Sequence, residues 1–443
     1  MSELPYGWAK ATLSELADFN PKHDPSKLGE AVSFVPMPAV NAESGTIEGA
    51  INRPLADVWK GFTHFAENDV IFAKITPCME NGKIAVAKGL TNGLGCGSTE
   101  FHVLRSNGSI LPEFLWRFLR QASFRKDAEG AMTGAVGQRR VPTDYLKTSE
   151  LPLPPLAEQR RIVAKLDALT ARTARVRADL DRIPALSARY KQAVLAKAFC
   201  GELTGSDGAG WTEVSISEIA EVGTGSTPKR SQAAYYQDGA VPWVTSSVVN
   251  RAYVDSADQF ITEQALRETN CKVFQPGTLL VAMYGEGQTR GRVSVLGIPA
   301  ATNQALAAIS ITCDDVVRRE YVYWFLRSQY LALRSAAAGG VQPNLNLGII
   351  KATRIPVPPL AEQVEIVRLV DRAFGELDRM TAEATSALRL IGRLDQAMLA
   401  KAFMGELVSQ DPADEPASVL LDRIRAERAN APKTPRGRRK AAA

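Results

Sequence analysis

Pro154-Pro155-Leu156-Ala157-Glu158-Gln159 recurs as Pro358-Pro359-Leu360-Ala361-Glu362-Gln363, an offset of 204 residues, and this repeat decides the fold. Behind it, Ala193-Val194-Leu195-Ala196-Lys197-Ala198-Phe199 and Gly201-Glu202-Leu203 return at the same offset as Ala397-Met398-Leu399-Ala400-Lys401-Ala402-Phe403 and Gly405-Glu406-Leu407, with no gap between. In front, Gly7-Trp8 with Ser14-Glu15 reappears as Gly210-Trp211 with Ser217-Glu218, an offset of 203. Glu113-Phe114 and Phe118-Leu119-Arg120 pair with Glu320-Tyr321 and Phe325-Leu326-Arg327, an offset of 207. A repeat this long fixes the architecture before any local element is assigned. The chain reads A, B, A′, B′ and a tail, over 1–153, 154–205, 206–357, 358–408 and 409–443.

The B segments carry the period of a long helix. Ile162, Leu166, Leu169, Thr173, Val176, Leu180, Ile183, Ser187, Tyr190 and Val194 are spaced as a heptad seam. Ile366, Val370, Ala373, Leu377, Met380, Ala384, Ala387, Ile391, Leu394 and Met398 repeat the register. Each segment opens after Pro-Pro, sets Glu158 or Glu362 in the first turn where the helix dipole favours an anion, and closes near a Gly. Pro184 removes one helical hydrogen bond and should kink or break the first helix; Leu388 stands there in the second. With one apolar seam each, the two helices are expected to pair as an antiparallel two-stranded coiled coil, the alternative being that each packs on its own module.

The A segments read as mixed. Strands are expected at 32–35, 69–73 and 83–86, then a helix at 111–125; the second copy offers strands at 242–244, 278–282 and 292–295 and a helix at 320–337. The fold class is therefore α+β, two mixed modules alternating with two long helices about a pseudo-twofold internal repeat. The tail offers a short helix at 417–429, then a basic run at 432–440 expected to be disordered.

Composition narrows the function. With 45% hydrophobic and 23% charged residues the 443-residue chain is an ordinary globular protein, not a disordered or fibrous one. Neither a signal-peptide pattern at residues 1–11 nor an apolar run of about 18 residues is present, so the expectation is cytoplasmic and no membrane. Five scattered cysteines without a C-x-x-C pair suggest buried free thiols and no structural metal. Residues 1–153 hold 16 basic and 17 acidic side chains and 206–357 hold 13 of each, so neither module advertises a nucleic-acid surface by charge. The excess lies in 154–205, with 10 against 5, and in 409–443, with 8 against 5.

No catalytic residue is assigned. His23, His64 and His102 all lie in the first module, which excludes a histidine mechanism common to both. Gly223-Thr224-Gly225-Ser226-Thr227-Pro228-Lys229 lacks the Gly-Lys-Ser/Thr ending of a phosphate loop, and Gly285-Glu286-Gly287 reads as a turn. Asn20-Pro21-Lys22-His23 departs at its third position from the Asn-Pro-Pro-aromatic signature of DNA methyltransferases. Polar and basic side chains on turns remain. In the first module they are Lys74, Thr76, Asn81, Lys83, Gln138, Arg139 and Arg140. In the second they are Thr245, Ser246, Ser247, Gln288, Arg290, Arg292, Asn303, Gln304, Gln342 and Asn344. Arg, Lys, Asn and Gln make the bidentate contacts that distinguish guanine and adenine edges in the major groove, although such residues also simply solvate loops.

These motifs resemble the specificity subunit of type I restriction-modification systems. The resemblance rests on Leu153-Pro154-Pro155-Leu156-Ala157-Glu158-Gln159 and Val357-Pro358-Pro359-Leu360-Ala361-Glu362-Gln363, each opening a helix that closes with Gln-Ala-x-Leu-Ala-Lys-Ala-Phe. Ala73-Lys74-Ile75-Thr76-Pro77-Cys78-Met79-Glu80-Asn81-Gly82-Lys83, Gly97-Ser98-Thr99-Glu100-Phe101, Gly277-Thr278-Leu279-Leu280 and Asn303-Gln304 look like stretches of the family's recognition domains. The resemblance implies two DNA target-recognition domains, each reading one half of a bipartite, asymmetric double-stranded target. It implies helical spacers that set the spacing and seat two methyltransferase subunits, with restriction (motor-nuclease) subunits beyond them. S-adenosylmethionine, ATP and Mg²⁺ would belong to those partners, which would methylate adenine N6, and none to this chain. Two other classes stand beside this reading: a self-sufficient methyltransferase or nuclease, for which no motif is present, and a coiled-coil scaffold whose modules bind protein.

Overall fold

The computed structural model describes residues 4–284, 289–336 and 345–430. The chain divides into two compact units, Met1–Leu180 with Ser386–Ala443, and Asp181–Thr385. Each unit thus takes one A module together with part of each long helix.

In unit 1, strand β1 (Ala9–Thr12) pairs antiparallel with β10 (Glu150–Leu153) and brings the two ends of the module together. The turn after β1 is a capping box, in which the Glu15 carboxylate accepts from the Thr12 backbone N–H at 2.8 Å. Ser215 and Glu218 build the same cap in the second copy, which explains why Ser14-Glu15 has a counterpart in Ser217-Glu218. Between them lie two four-stranded sheets among the described residues. One has the order β2 (Ala17–Phe19), β9 (Phe101–Ser106), β6 (Val70–Ala73) and β7 (Ile84–Val86), all antiparallel neighbours. The other has the order β4 (Ile51–Pro54), β3 (Ala31–Val35), β8 (Leu94–Gly97) and β5 (Thr63–Ala66), and its β3–β8 pair is parallel.

Unit 2 repeats this plan. Strand β11 (Thr212–Ser215) pairs with β21 (Arg354–Val357). One sheet runs β12 (Ala220–Thr224), β20 (Leu306–Ile311), β17 (Leu279–Ala282), β18 (Val293–Leu296) and β14 (Tyr253–Val254). The other runs β15 (Gln259–Ile261), β13 (Val241–Val244), β19 (Ala300–Thr302) and β16 (Val273–Phe274), again with a parallel central pair, β13–β19.

The helices expected at 111–125 and 320–337 are each two helices. Helix α1 (Pro112–Leu119) ends at Arg120 and α2 (Ala122–Gly130) follows; α4 (Arg319–Ser328) is followed by Tyr330–Ala336. The break buries both pieces against one core: Phe114 and Leu115 of α1 and Phe124 of α2 share a cluster with Ile162 and Leu166.

The long helices are α3 (Leu156–Ala198) and α5 (Leu360–Phe403). Helical structure continues through Pro184, so of the expected kink or break the break does not occur. In unit 1 their stretches run antiparallel: Leu166 and Met398 share a core, and farther along α3 Thr173 and Arg177 bond Asp395, farther back along α5. In unit 2 Leu195, Ala198, Ile366, Val370 and Phe374 share a core, while Lys191 bonds Asp378. The pairing is antiparallel there too.

The heptad drifts. Ile162, Leu166, Ser187, Ile366, Val370, Ala384 and Met398 are buried, and Leu169, Thr173, Leu180, Ile183, Val194, Ala373, Leu377, Ala387 and Ile391 half-buried. Val176, Tyr190, Met380 and Leu394 are exposed, contrary to the sequence register, and Arg177, Lys191, Thr381 and Asp395 take the inward places. An α-helix turns every 3.6 residues and drifts about 20° per heptad from a 3.5-residue seam, so the inward face steps one residue onward. The tail helix α6 (Ala417–Asn430) closes unit 1 by burying Ala417 and Leu421 in the same core as Phe114.

Candidate nucleic-acid interface

Each B segment is anchored by its own first turn. Trp8 Nε1 donates to Glu158 at 3.0 Å and Trp211 Nε1 to Glu362 at 3.2 Å. Gln159 donates to the Ser109 and Pro154 carbonyls while accepting from the Leu111 N–H; Gln363 does the same with Val316, Pro358 and Arg318. The Glu-Gln pair of the repeat is therefore the joint between module and helix. Burial pushes the Glu158 carboxyl above its usual value, and the bonds from Trp8 and Gln410 partly offset this.

In unit 1 the turn after β6 and the strand-like stretch before α3 lie side by side. Thr76 N–H donates to the Arg139 carbonyl at 3.0 Å and Val141 N–H to the Lys74 carbonyl at 2.9 Å. This brings Lys74, Thr76, Gln138, Arg139 and Arg140 onto one rim. Arg140 makes a bidentate pair with Glu100, 2.9 Å for each bond, and also donates to the Gln138 carbonyl. The Arg140 guanidinium holds Glu100 below the usual carboxylate range. Arg139 reaches Glu129 at 3.5 Å, and Thr76 donates to Glu80 at 2.9 Å. Two of the rim's cations are thus offset by carboxylates, which keeps the module near neutral overall. Asn81 is exposed on the same turn, whereas Lys83 is turned inward to the Met37 carbonyl at 3.0 Å.

Arg120 and Arg125 hold that turn from beneath. Arg120 donates to the Glu43 carbonyl at 2.6 Å and more weakly to that of Gly82, and Arg125 donates to the Glu80 carbonyl at 2.5 Å. Burial, reinforced by Arg125 and Arg117, pushes the Arg120 guanidinium down to about 10. The sequence reading passed over this pair, since only the echo of Arg120 in Arg327 marked either of them.

In unit 2 a second polar rim grows from the ends of the parallel pair β13–β19. Asn303 N–H donates to the Val244 carbonyl at 3.1 Å, so residues 245–247 and 303–304 are neighbours. Thr245 and Ser247 bond each other at 3.0 Å, and Arg292 donates to Asn250 at 2.8 Å. Gln304 accepts from Thr227 at 2.6 Å, which draws in the 223–229 loop. Gly225 there lies so close to Thr302 that a Cβ would meet its carbonyl oxygen at 1.7 Å. That glycine serves packing on the strand end. Arg290 is half-buried and its carbonyl accepts from Arg334. Ser246 opens a short 3-10 turn, Ser246–Asn250. Gln288, Gln342 and Asn344, with 285–287 and the basic run 432–440, lie outside the described residues.

Sequence reasoning singled out neither Asn250 nor Arg230, whose guanidinium lies 5.7 Å from the Trp243 ring centre, and quoted Glu100 and Thr227 only within longer stretches. Beside this rim a groove of about 830 Å³ is lined by Lys191, Asn250, Arg251, Arg292, Arg327 and Arg334 among others. The residues reach rim and groove through strand pairing and helix packing, which spacing along the chain does not disclose. Among the described residues no helix is long and apolar enough to cross a membrane.

Two α+β modules of one plan, each carrying a polar rim and each jointed to a long helix, define an internally duplicated two-module protein. The chain belongs to the family described as the type I restriction modification DNA specificity domain, whose model matches it twice, at 5–184 and 209–385. It is 43% identical over 169 residues to the type I restriction enzyme EcoAI specificity subunit of Escherichia coli, covering 38% of this chain and 28% of that protein. It is 29% identical over 365 residues to the EcoKI specificity subunit of E. coli K12, covering 76% and 75%. The match thus spans little over a quarter of the EcoAI subunit's length, and about three quarters of the EcoKI subunit's. Two solved structures share the fold at 24% identity. One, described as the structural basis of complex assembly and conformational transition of the type I R-M system, superposes with a TM-score of 0.76 over 92% of this chain and all of the other. The other, the HsdS subunit from Thermoanaerobacter tengcongensis, gives 0.65 over 92% and 99%.

Proposed function

We propose that this chain is the non-catalytic, DNA-binding specificity subunit of a cytoplasmic type I restriction-modification complex. Each module reads one half of a bipartite, asymmetric double-stranded target, and the helices set the distance between halves and seat two methyltransferase subunits. The observation that carries this reading is that one architecture, twice repeated, presents unlike side chains at equivalent strand ends: Pro36 and Ser98 after β3 and β8 in one module, Thr245 and Asn303 after β13 and β19 in the other. A common scaffold with different readers suits two different half-sites. The paired helix stretches repeat the same seam, and two like surfaces suit two copies of one partner.

The near-neutral modules fit a complex in which the methyltransferases supply many of the phosphate contacts. S-adenosylmethionine for adenine-N6 methylation, and ATP with Mg²⁺ for the restriction subunits, belong to those partners. The test is single-molecule sequencing of DNA from a host expressing this chain with its neighbouring methyltransferase, against the methyltransferase alone. A split, asymmetric adenine-methylated motif that requires this chain is the expected result. A co-purifying complex that leaves no new motif would favour a protein-binding scaffold instead.

A further inference from the structure

We infer that His23, His64 and Cys96 form a binding site for a borderline-soft divalent transition-metal ion, with zinc the ion that fits. All three are buried, and one ring nitrogen from each histidine lies with the Cys96 sulfur inside a span of 4.8 Å. The sheet makes this convergence, since the residues stand far apart in sequence. His64 and Cys96 are facing partners on β5 and β8, and His23 arrives from the loop after β2 to stack on His64 with ring centres 4.8 Å apart.

Each ring has one nitrogen tied to a backbone carbonyl. His23 Nε2 lies 2.8 Å from the Gly95 carbonyl and His64 Nε2 lies 2.9 Å from the Trp59 carbonyl. A carbonyl only accepts, so each Nε2 carries the proton and each Nδ1 keeps its lone pair. A histidine that binds metal with one nitrogen commonly has its other N–H held by such an acceptor, which fixes the tautomer and the ring plane. His64 Nδ1 takes a long 3.3 Å bond from the His23 backbone N–H, and the metal would replace it.

The donor set selects the ion. Two imidazoles and a thiolate suit zinc, whereas Mg²⁺ and Ca²⁺ want oxygen ligands. Three protein donors leave a fourth tetrahedral position for water. On binding, the Cys96 S–H bond breaks, the sulfur pair forms the S–Zn bond and one proton goes to solvent, while the neutral imidazoles release none.

Packing alone does not call for these residues. In unit 2, β16 flanks the parallel pair as β5 does, and there Val273 faces Ala301 where His64 faces Cys96. An apolar pair fills the same place in the same sheet plan. The site is thus peculiar to unit 1, where β8 leads directly to Glu100, the partner of Arg140 on the rim.

The test uses the full chain, stripped of metal and titrated with Co²⁺ and Zn²⁺. One Co²⁺ per chain should bind with a thiolate-to-cobalt charge-transfer band that Cys96→Ser lacks, and zinc should raise the thermal midpoint of the wild type but not of Cys96→Ser. Should that variant fail to fold, zinc-edge X-ray absorption of the wild type decides without it, with one sulfur at about 2.3 Å and nitrogens at about 2.0 Å expected. No charge-transfer band, the same band in Cys96→Ser, or a zinc shell without sulfur would overturn the assignment.

Discussion

Trp8 and Glu158 stand 150 residues apart, yet the indole N–H of one is satisfied by the carboxylate of the other at 3.0 Å. Because both are buried, replacing Glu158 by Ala leaves that N–H without an acceptor and should cost about 1–3 kcal/mol in denaturant unfolding. Glu158→Gln keeps an acceptor and should cost less. Burial raises the Glu158 pKa in the folded state, so its contribution to stability is complete below about pH 4.5 and fades as pH rises through the folded value. Glu158→Gln should flatten that part of the pH profile, and a profile no different from wild type would refute the linkage.

The helix pairs have a charge logic that can be read by double-mutant cycles. Arg177 meets Asp395 at 3.2 Å in unit 1, while Lys191 meets Asp378 in unit 2. Residues 191 and 395 are repeat equivalents, so that place carries the cation in one pair and the anion in the other. Coupling of about 0.2–1 kcal/mol is expected for each half-exposed pair, falling with added salt. Leu166→Ala, by contrast, empties a fully packed place and should cost about 2–5 kcal/mol, with no salt dependence.

His102 should make the first module acid-sensitive. Its Nε2 donates to the Val141 carbonyl at 2.8 Å, and its buried Nδ1 has no partner among the described residues. Burial depresses its pKa below 6.5, so the stability it contributes is present above about pH 6.5 and is lost as pH falls through the folded value. Hydrogen exchange followed between pH 7.5 and 5.5 should show peptides around β9 losing protection first. His102→Gln should show a smaller change; an equal one would assign the effect elsewhere.

The two rims should be separable in methylation maps. Gln304→Ala, in complex with the methyltransferase, should relax one half-site by about 10- to 100-fold, the worth of a bidentate base contact, and leave the other unchanged. Gln138→Ala should act on the opposite half. Loss of both halves together from either change would mean that the rims support the fold and do not read bases.

Much of this protein was legible in the chain itself. The 204-residue repeat, the two long helices and the α+β character follow from residue types at fixed separations, because helix periodicity, Pro-Pro starts and capping residues are local physics. Even the polar turns were found, since Gly, Asn and Pro mark turns wherever they occur. What the chain did not disclose was decided by packing at a distance. Arg177 and Asp395 displaced Val176 and Leu394 from the seam because a straight helix drifts from a heptad. Lys83 turned inward while Arg140 stayed on the rim, because Met37 and Glu100 were brought to them by neighbouring strands. His23, His64 and Cys96 met only when β5 and β8 paired. Sheet register and helix packing join residues whose separation in sequence carries no signal, and the sites described above are built from such joins.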